Sequence, residues 1–417
     1  MSKLAAYHVD HLFLLIGGNP LPNYVAARLL VRDQANSRIV LVCSKDTREE
    51  AAQRIEQLLH RDGFQKIEYC EVKESDPTHI YNQVQQQLKH REGSIGLHYT
   101  GGTKAMAVHA YQAFRDTVHQ SAHYSYLDAR SLALIVSSPA IAGGKPQVLH
   151  QIGKAIQPPL RLKDLLSLHG LDKLTKQSLQ TKAIWQNTAS ALANLHSDPQ
   201  RQADWRTWCQ SSLRERDKKG GLVLKKSNKL TNVLIEDIPD QEVRDAFLHE
   251  HAQFTLKTSL TAAAQFTQES HPAKWFDGEW FEHHLLHILQ PLVENRMLEE
   301  LVMTVEPHIG ASQFEFDVAA LHGYQLFAFS LTTGGNELFK PKLLEAIVRA
   351  EQLGGSEVRV ALVCCADPGT VQKLEQQIES LPHQSKLTKI FGRDDLLDLR
   401  AKIEDWIRES SKGVSDL

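Results

Sequence analysis

HLFLLIGGNPLPN, residues 11–23, and SIGLHYTGGTKAM, residues 94–106, decide the fold. The first opens on a short continuous apolar run, the pattern of a strand buried on both faces, and the second reads as another strand. Each then breaks at a glycine pair and resumes with helical spacing. RIVLVCS (38–44) repeats the strand pattern, and 66–72 reads as another strand. Helices are expected over 22–31, 47–60, 76–90 and 103–115, with Asp46 as the N-cap of the second. Strands alternating with helices of this length imply βαβ units, hence a parallel, doubly wound sheet. SAHYSYLD (121–128) and SLALIVSS (131–138) read as a closing strand pair.

Further along, the pattern changes twice. Residues 160–268 hold no strong strand run but several helical stretches, so 146–271 reads as a mainly helical connector of winged-helix type. Within it, RERDKKGGLVLKKSNKL (214–230) is a basic hairpin or wing, either with solvated lysines or as a strip that contacts phosphates. From residue 272 a second α/β unit is expected. Its helices would cover 275–289, 341–353, 369–381 and 394–410, and its strands 301–305, 313–321, 324–332 and 357–364. The expected class is α/β: a Rossmann-like domain over 1–145, the helical connector, and a distinct α/β domain over 272–417.

Composition bounds the rest. At 417 residues, and roughly 150 per domain, two or three domains are expected. The chain is 42% hydrophobic and 23% charged, enough to bury full cores and too apolar for a disordered polyelectrolyte. Its net charge of -3 supplies no global positive field, so binding to nucleic acid would need a local patch. Cys43, Cys70, Cys209, Cys364 and Cys365 form no CxxC and no zinc spacing, and read as buried thiols in a reducing compartment. The first apolar run, 12–16, is too short for a signal segment or a membrane span, so a cytoplasmic protein without membrane contact is expected.

In an open parallel sheet, ligands bind beyond the carboxyl ends of the strands, near the switch in strand order. Two loops there are candidates. In the first, Gly17 and Gly18 permit close backbone approach, Pro20 and Pro22 stiffen the turn, and Asn19 and Asn23 add donors and acceptors. In the second, Gly101 and Gly102 expose N–H groups at a helix start, Thr100 and Thr103 add hydroxyls, and Lys104 adds a charge. Ser44 and Thr47, after the second strand, read as caps or as further ligand contacts. Neither loop is a GxGxxG or a P-loop pattern.

GGNPLPNYVAA together with HYTGGTKAMA resembles the CARF domains, the Rossmann-like sensors of type III CRISPR systems. The resemblance covers about residues 8–140. It implies a homodimer that binds a cyclic oligoadenylate, cyclic tetra-adenylate being favoured, across its two-fold axis. The implied ligand contacts are Gly18, Asn19, Pro20 and Asn23 from one loop, and Thr100, Gly101, Gly102, Thr103 and Lys104 from the other.

DGEWFEHHLLHIL (277–289) sets Glu279 and Glu282 on one helical face, and FEFDVAAL (314–321) sets Glu315 and Asp317 on one side of a strand. An acid in so apolar a strand is costly unless it is hydrogen-bonded or holds a metal. With YQLFAFSLTT (324–333), this resembles the PD-(D/E)XK nuclease domains fused to CARF sensors. The resemblance implies an Asp and a Glu holding Mg²⁺ or Mn²⁺, beside a lysine that positions water. Here Ser330, Leu331 and Thr332 stand at the ExK positions. The domain is then either a pseudo-nuclease or a nuclease whose charged groups have moved to the next helix. In the second case Lys342 (or Lys340) would face the phosphate, and Glu282, Glu315, Asp317 and Glu345 would hold the metal, with the Ser330 and Thr332 hydroxyls beside them. His283 and His287 lack a third ligand and read as packing or surface residues. The resulting expectation is a cyclic-oligoadenylate-activated, metal-dependent nuclease acting on DNA or RNA. The alternatives are a catalytically silent sensor, a ligand-responsive transcription regulator, and a ring nuclease that destroys its own ligand.

Overall fold

The computed structural model describes residues 3–89, 91–118, 122–128, 132–149, 155–171, 179–263, 272–305, 308–309, 312–313, 316–355, 358–380 and 387–411. The first sheet contains β1 (His11–Leu15), β2 (Arg38–Cys43), β3 (Lys66–Glu71), β4 (Ile95–His98), β5 (Ala122–Asp128), β6 (Ala133–Ser137) and β7 (Gln147–Leu149). Their order is β3-β2-β1-β4-β5-β6-β7, parallel through β5 and antiparallel beyond it.

Burial on both sides of β1 explains its unbroken apolar run. Leu12 and Leu14 face a core shared with helices Leu21–Leu30 and Gln53–Arg61. Phe13 and Leu15 face a second core with helices Pro77–Leu88 and Lys104–Thr117. Asp76 and Thr103 cap those last two helices through their side chains. Asp46 is not a cap. The helix starts at Lys45, because Ser44 and Thr47 satisfy each other's backbone N–H groups in a reciprocal capping box. β7 escaped the sequence pattern because it is only three residues long.

A short antiparallel hairpin, β8 (Arg214–Arg216) and β9 (Leu222–Leu224), stands in the middle of the chain where the basic wing was expected. β11 (His308–Ile309) and β12 (Ser312–Gln313) form a small pair. The second large sheet runs β10 (Glu300–Val305), β13 (Phe316–His322), β14 (Gln325–Thr332), β15 (Arg359–Cys364) and β16 (Thr388–Phe391). β10, β13 and β14 are antiparallel, whereas β14, β15 and β16 are parallel.

The middle helices do not build a core of their own. Leu192, Trp205 and Phe247 from that region pack with Trp280, Phe281 and Trp406 against Val318, Phe327 and Phe329 on one face of the second sheet. The opposite face, with Ala319, Ala328 and Leu362, packs against helix Asn336–Gly354. This layer is continuous with the core of the first sheet through Leu127, Leu162 and Leu166. Backbone N–H of Leu162 donates to Glu300, which fixes the same junction. All five cysteines are free and buried. Among the described residues, no helix is long and apolar enough to cross a membrane.

Candidate functional site

β1 and β4 are adjacent, and the strand order reverses between them, so their carboxyl ends open a crevice at the switch point. The two glycine loops interpenetrate there. A Cβ on Gly101 would collide with the Leu15 carbonyl oxygen and stand 2.8 Å from Asn23 Nδ2; a Cβ on Gly17 would stand 2.8 Å from Gly102 N. Gly102 has φ +75°, a conformation that glycine adopts without strain. Gly17 and Gly101 therefore let two backbones touch.

The individual residues divide into supports and surface. Asn23 is fully buried and donates from Nδ2 to Leu15 O at 3.0 Å, bracing the cradle from below. Asn19 Oδ1 accepts from Leu21 N–H at 3.1 Å, and buried Pro20 precedes the helix. Thr100 Oγ1 accepts from Leu127 N–H at 2.7 Å, tying the second loop to β5. Thr103 Oγ1 accepts from Met106 N–H and donates to Glu74 O at 3.0 Å. The Ser44 and Thr47 hydroxyls are engaged in their cap. Gly18 is exposed with open space above it. Lys104 is exposed at the start of a 14-residue helix and has no partner among the described residues. The upper surface thus offers glycine-loop backbone, a helix N-terminus and an exposed cation, a set suited to phosphate.

Sequence reasoning missed two aromatic residues. Tyr99 and Tyr126 stand beside the second loop with ring centroids 5.5 Å apart, and Tyr126 is 38% exposed. Aromatic residues on neighbouring strand ends carried a signal that the motif search did not use. His98, under the loop, is held neutral by complete burial, its pKa pushed down to about 3, and its Nδ1 lies 3.0 Å from Ser125 Oγ.

In the second sheet, Asp317 on β13 lies one step past the Val318–Phe329 pair, opposite Ser330 on β14. Asp317 accepts from the Leu331 N–H and, at 3.4 Å, from the Ser330 hydroxyl. Lys342 reaches over from helix Asn336–Gly354. Its Nζ lies 3.8 Å from Asp317 Oδ2 and donates to Leu331 O at 2.9 Å. Burial pushes the Asp317 carboxyl above the ordinary carboxylate range, and Lys342 works against that rise. Glu279 is largely buried, its Oε2 unpaired among the described residues, and burial raises its pKa too, with Lys274 opposing. Thr332 is buried, and its Oγ1 accepts from Gly334 N–H at 3.0 Å.

The expected metal set does not assemble. Among the described residues, no three His, Cys, Asp or Glu side chains come together to hold an ion. Lys342 turns inward to Asp317, while Glu345 and Lys340 are exposed on the same helix and Glu282 is half-buried on another. The place beside Asp317 is taken by an ammonium group, so these residues do not fit Mg²⁺ or Mn²⁺ as arranged. Glu315 lies outside the described residues. His283 is buried, accepts from Ile184 N–H at 3.3 Å, and is kept neutral by burial, its pKa pushed down to about 4, which is a packing role.

Residues 12–142 match the family model described as the Card1 CARF domain. The comparison with curated proteins finds no match. Among solved structures, the chain is similar to protein VC1899 from Vibrio cholerae, with 13% identity and a TM-score of 0.67 over 97% of this chain and 100% of that chain. It is also similar to Can2 from Sulfobacillus thermosulfidooxidans, solved in complex with cyclic tetra-adenylate, with 17% identity and a TM-score of 0.67 over 97% of this chain and 98% of that one. At these identities the likeness is one of fold: an N-terminal CARF-type Rossmann-like sheet, helices, and a C-terminal sheet.

Proposed function

We propose that this chain is a sensor of cyclic oligoadenylate in type III CRISPR defence, coupled to a C-terminal domain directed at nucleic acid. The interlocked glycine cradle at the switch point, beside the exposed Lys104, carries the reading. A ring of phosphates matches its N–H groups, helix terminus and cation. The exposed Tyr126 face beside it suits an adenine. A two-fold-symmetric ring is best met by two copies, so the working form is a homodimer with both cradles facing the ligand. Similarity to Can2 favours the tetra-adenylate ring.

Lys104→Ala tests the cradle. Titration calorimetry with cyclic tetra- and hexa-adenylate on the full chain is expected to show binding by wild type. The variant is expected to bind at least ~10-fold more weakly, about 1.4 kcal/mol. No saturable heat with either ring sinks the sensor reading.

One contact supports the route from sensor to effector. Gly355, at φ +70°, closes helix Asn336–Gly354 directly against the Asn19 amide of the first loop. The same helix carries Lys342 onto Asp317, so a ligand that moves Asn19 acts on the helix that holds the second site closed. Hydrogen exchange along residues 336–354 is the readout: ring binding is expected to change protection there, and an unchanged profile with saturating ring removes this route.

In the second domain, the expected activity is cleavage of DNA or RNA. Lys342 lodged against Asp317 favours a second reading, an effector that binds nucleic acid without cutting it. Plasmid and labelled single strands, incubated with ring and with Mg²⁺ or Mn²⁺, separate the two: ring-dependent products mean a nuclease, and retention without products means a silent binder.

A further inference from the structure

We propose that the β8–β9 hairpin is a phosphate-gripping arm that holds the nucleic-acid backbone at the rim of the Asp317–Lys342 site. Residues 214–230 carry seven basic and two acidic side chains in a chain of net charge -3. Both acids are already engaged. Asp217 accepts from the Lys219 and Gly221 N–H groups at 2.9 and 2.7 Å, closing the turn, and Glu215 pairs with Lys229 at 2.7 Å. Lys225 donates to Ser212 O at 2.8 Å. Lys218, Lys219 and Lys226 are left exposed, without partners among the described residues. Gly220, at φ +83°, lets the turn fold tightly, so Lys218 and Lys219 occupy its tip. Leu222 and Val223, 44% and 40% exposed, lie on the adjoining strand and put one apolar side chain on each face of the ribbon. A two-stranded ribbon of this width enters or follows a nucleic-acid groove.

The root of the hairpin determines what it serves. Arg214 makes a two-pronged pair with Asp277, its Nε 3.1 Å from Oδ1. The Asp277 carbonyl accepts from the Thr333 hydroxyl at 3.2 Å, at the end of β14 just past Ser330 and Thr332. Arg206 braces the same rim, donating to Thr333 O and Gly334 O at 2.7 and 2.8 Å. A backbone held by the lysines is therefore tied through Arg214 to the strand end that carries the second site. The shared ligand chemistry is the phosphodiester, whether of DNA or RNA.

This inference rests on reading the second domain as directed at nucleic acid, and the test separates the two. Fluorescence anisotropy with labelled 30-nucleotide single-stranded DNA, the matching RNA and duplex DNA compares wild type with Lys218→Glu/Lys219→Glu/Lys226→Glu, at several salt concentrations and with cyclic tetra-adenylate present. The arm predicts at least ~10-fold weaker binding and a salt slope shallower by about 2 to 3 in the triple variant. Ring binding by calorimetry should stay intact, which reports a folded protein. Equal binding by wild type and variant overturns the arm and leaves the domain reading standing. Absence of nucleic-acid binding by wild type overturns both. Capture of poly-glutamate in preference to every nucleic acid also overturns the arm, making it a contact for an acidic protein.

Discussion

Gly101→Val is expected to lower the melting temperature and to abolish high-affinity ring binding, whereas Gly18→Ala leaves the melting temperature where it was. The contrast follows from two glycines in the same cradle. A Cβ at position 101 would overlap the Leu15 carbonyl oxygen, stand 2.8 Å from Asn23 Nδ2 and 3.1 Å from Gly17 N; at position 18 it would meet nothing within 4 Å. Leu15 ends a central strand flanked by β2 and β4 and is fully buried, so it cannot retreat. The second loop must lift instead, which breaks the Asn23 brace and moves the Lys104 helix start. Overpacking of this kind costs ~1–3 kcal/mol, which at about 2.1 cal/mol/K of unfolding entropy per residue in a 417-residue chain is a fall of roughly 1–3 °C. Differential scanning fluorimetry of both variants, followed by calorimetry with cyclic tetra-adenylate, measures it. Equal melting temperatures for the two variants would show that the loops are not interlocked.

That interlock also marks how far the sequence could be read. Unbroken apolar runs at 12–16 and 39–43 are legible because a strand covered on both faces has no polar positions to spare. The glycine pairs are legible as special backbone, but not as partners for each other, since close approach between residues 15 and 101 is a property of strand order. Helices Gln186–Ser197 and Gln241–Glu250 are amphipathic, yet periodicity says only that a face is buried, not against what. Their partner is the second sheet, so the connector shares its core. At the second site, helical spacing put Lys342 and Glu345 on neighbouring positions but could not say which turned inward. Asp317 decides that: its carboxylate draws in the ammonium and leaves Glu345 in solvent. The contact of Asn19 with Gly355 joins the two halves of the chain and had no local signal at all.

The Asp317–Lys342 pair yields the other large effect, and its sign depends on pH. Lys342→Met keeps an unbranched apolar stem and removes the charge. Among the described residues, Asp317 then keeps the Leu331 N–H and the Ser330 hydroxyl, inside a strand where burial already raises its pKa. Leaving a buried carboxylate without its cation costs ~1–3 kcal/mol at neutral pH. A raised carboxyl pKa means that the folded state binds the proton more tightly than the unfolded chain. Stability is therefore lost as pH rises from the ordinary carboxylate range through the raised folded value. Removing Lys342 raises that value further and widens the window. The variant should match wild type in acid, where Asp317 is protonated in both, and fall behind as pH rises toward neutral. Adding Asp317→Asn should restore much of the loss and flatten the profile, because no buried charge remains to be matched. Urea unfolding from acid to neutral pH on wild type, Lys342→Met and the double variant gives the three curves. A single variant as stable as wild type throughout would mean that Lys342 does not serve as the counter-ion of Asp317, and would return that side chain to the role of a mobile lysine facing substrate.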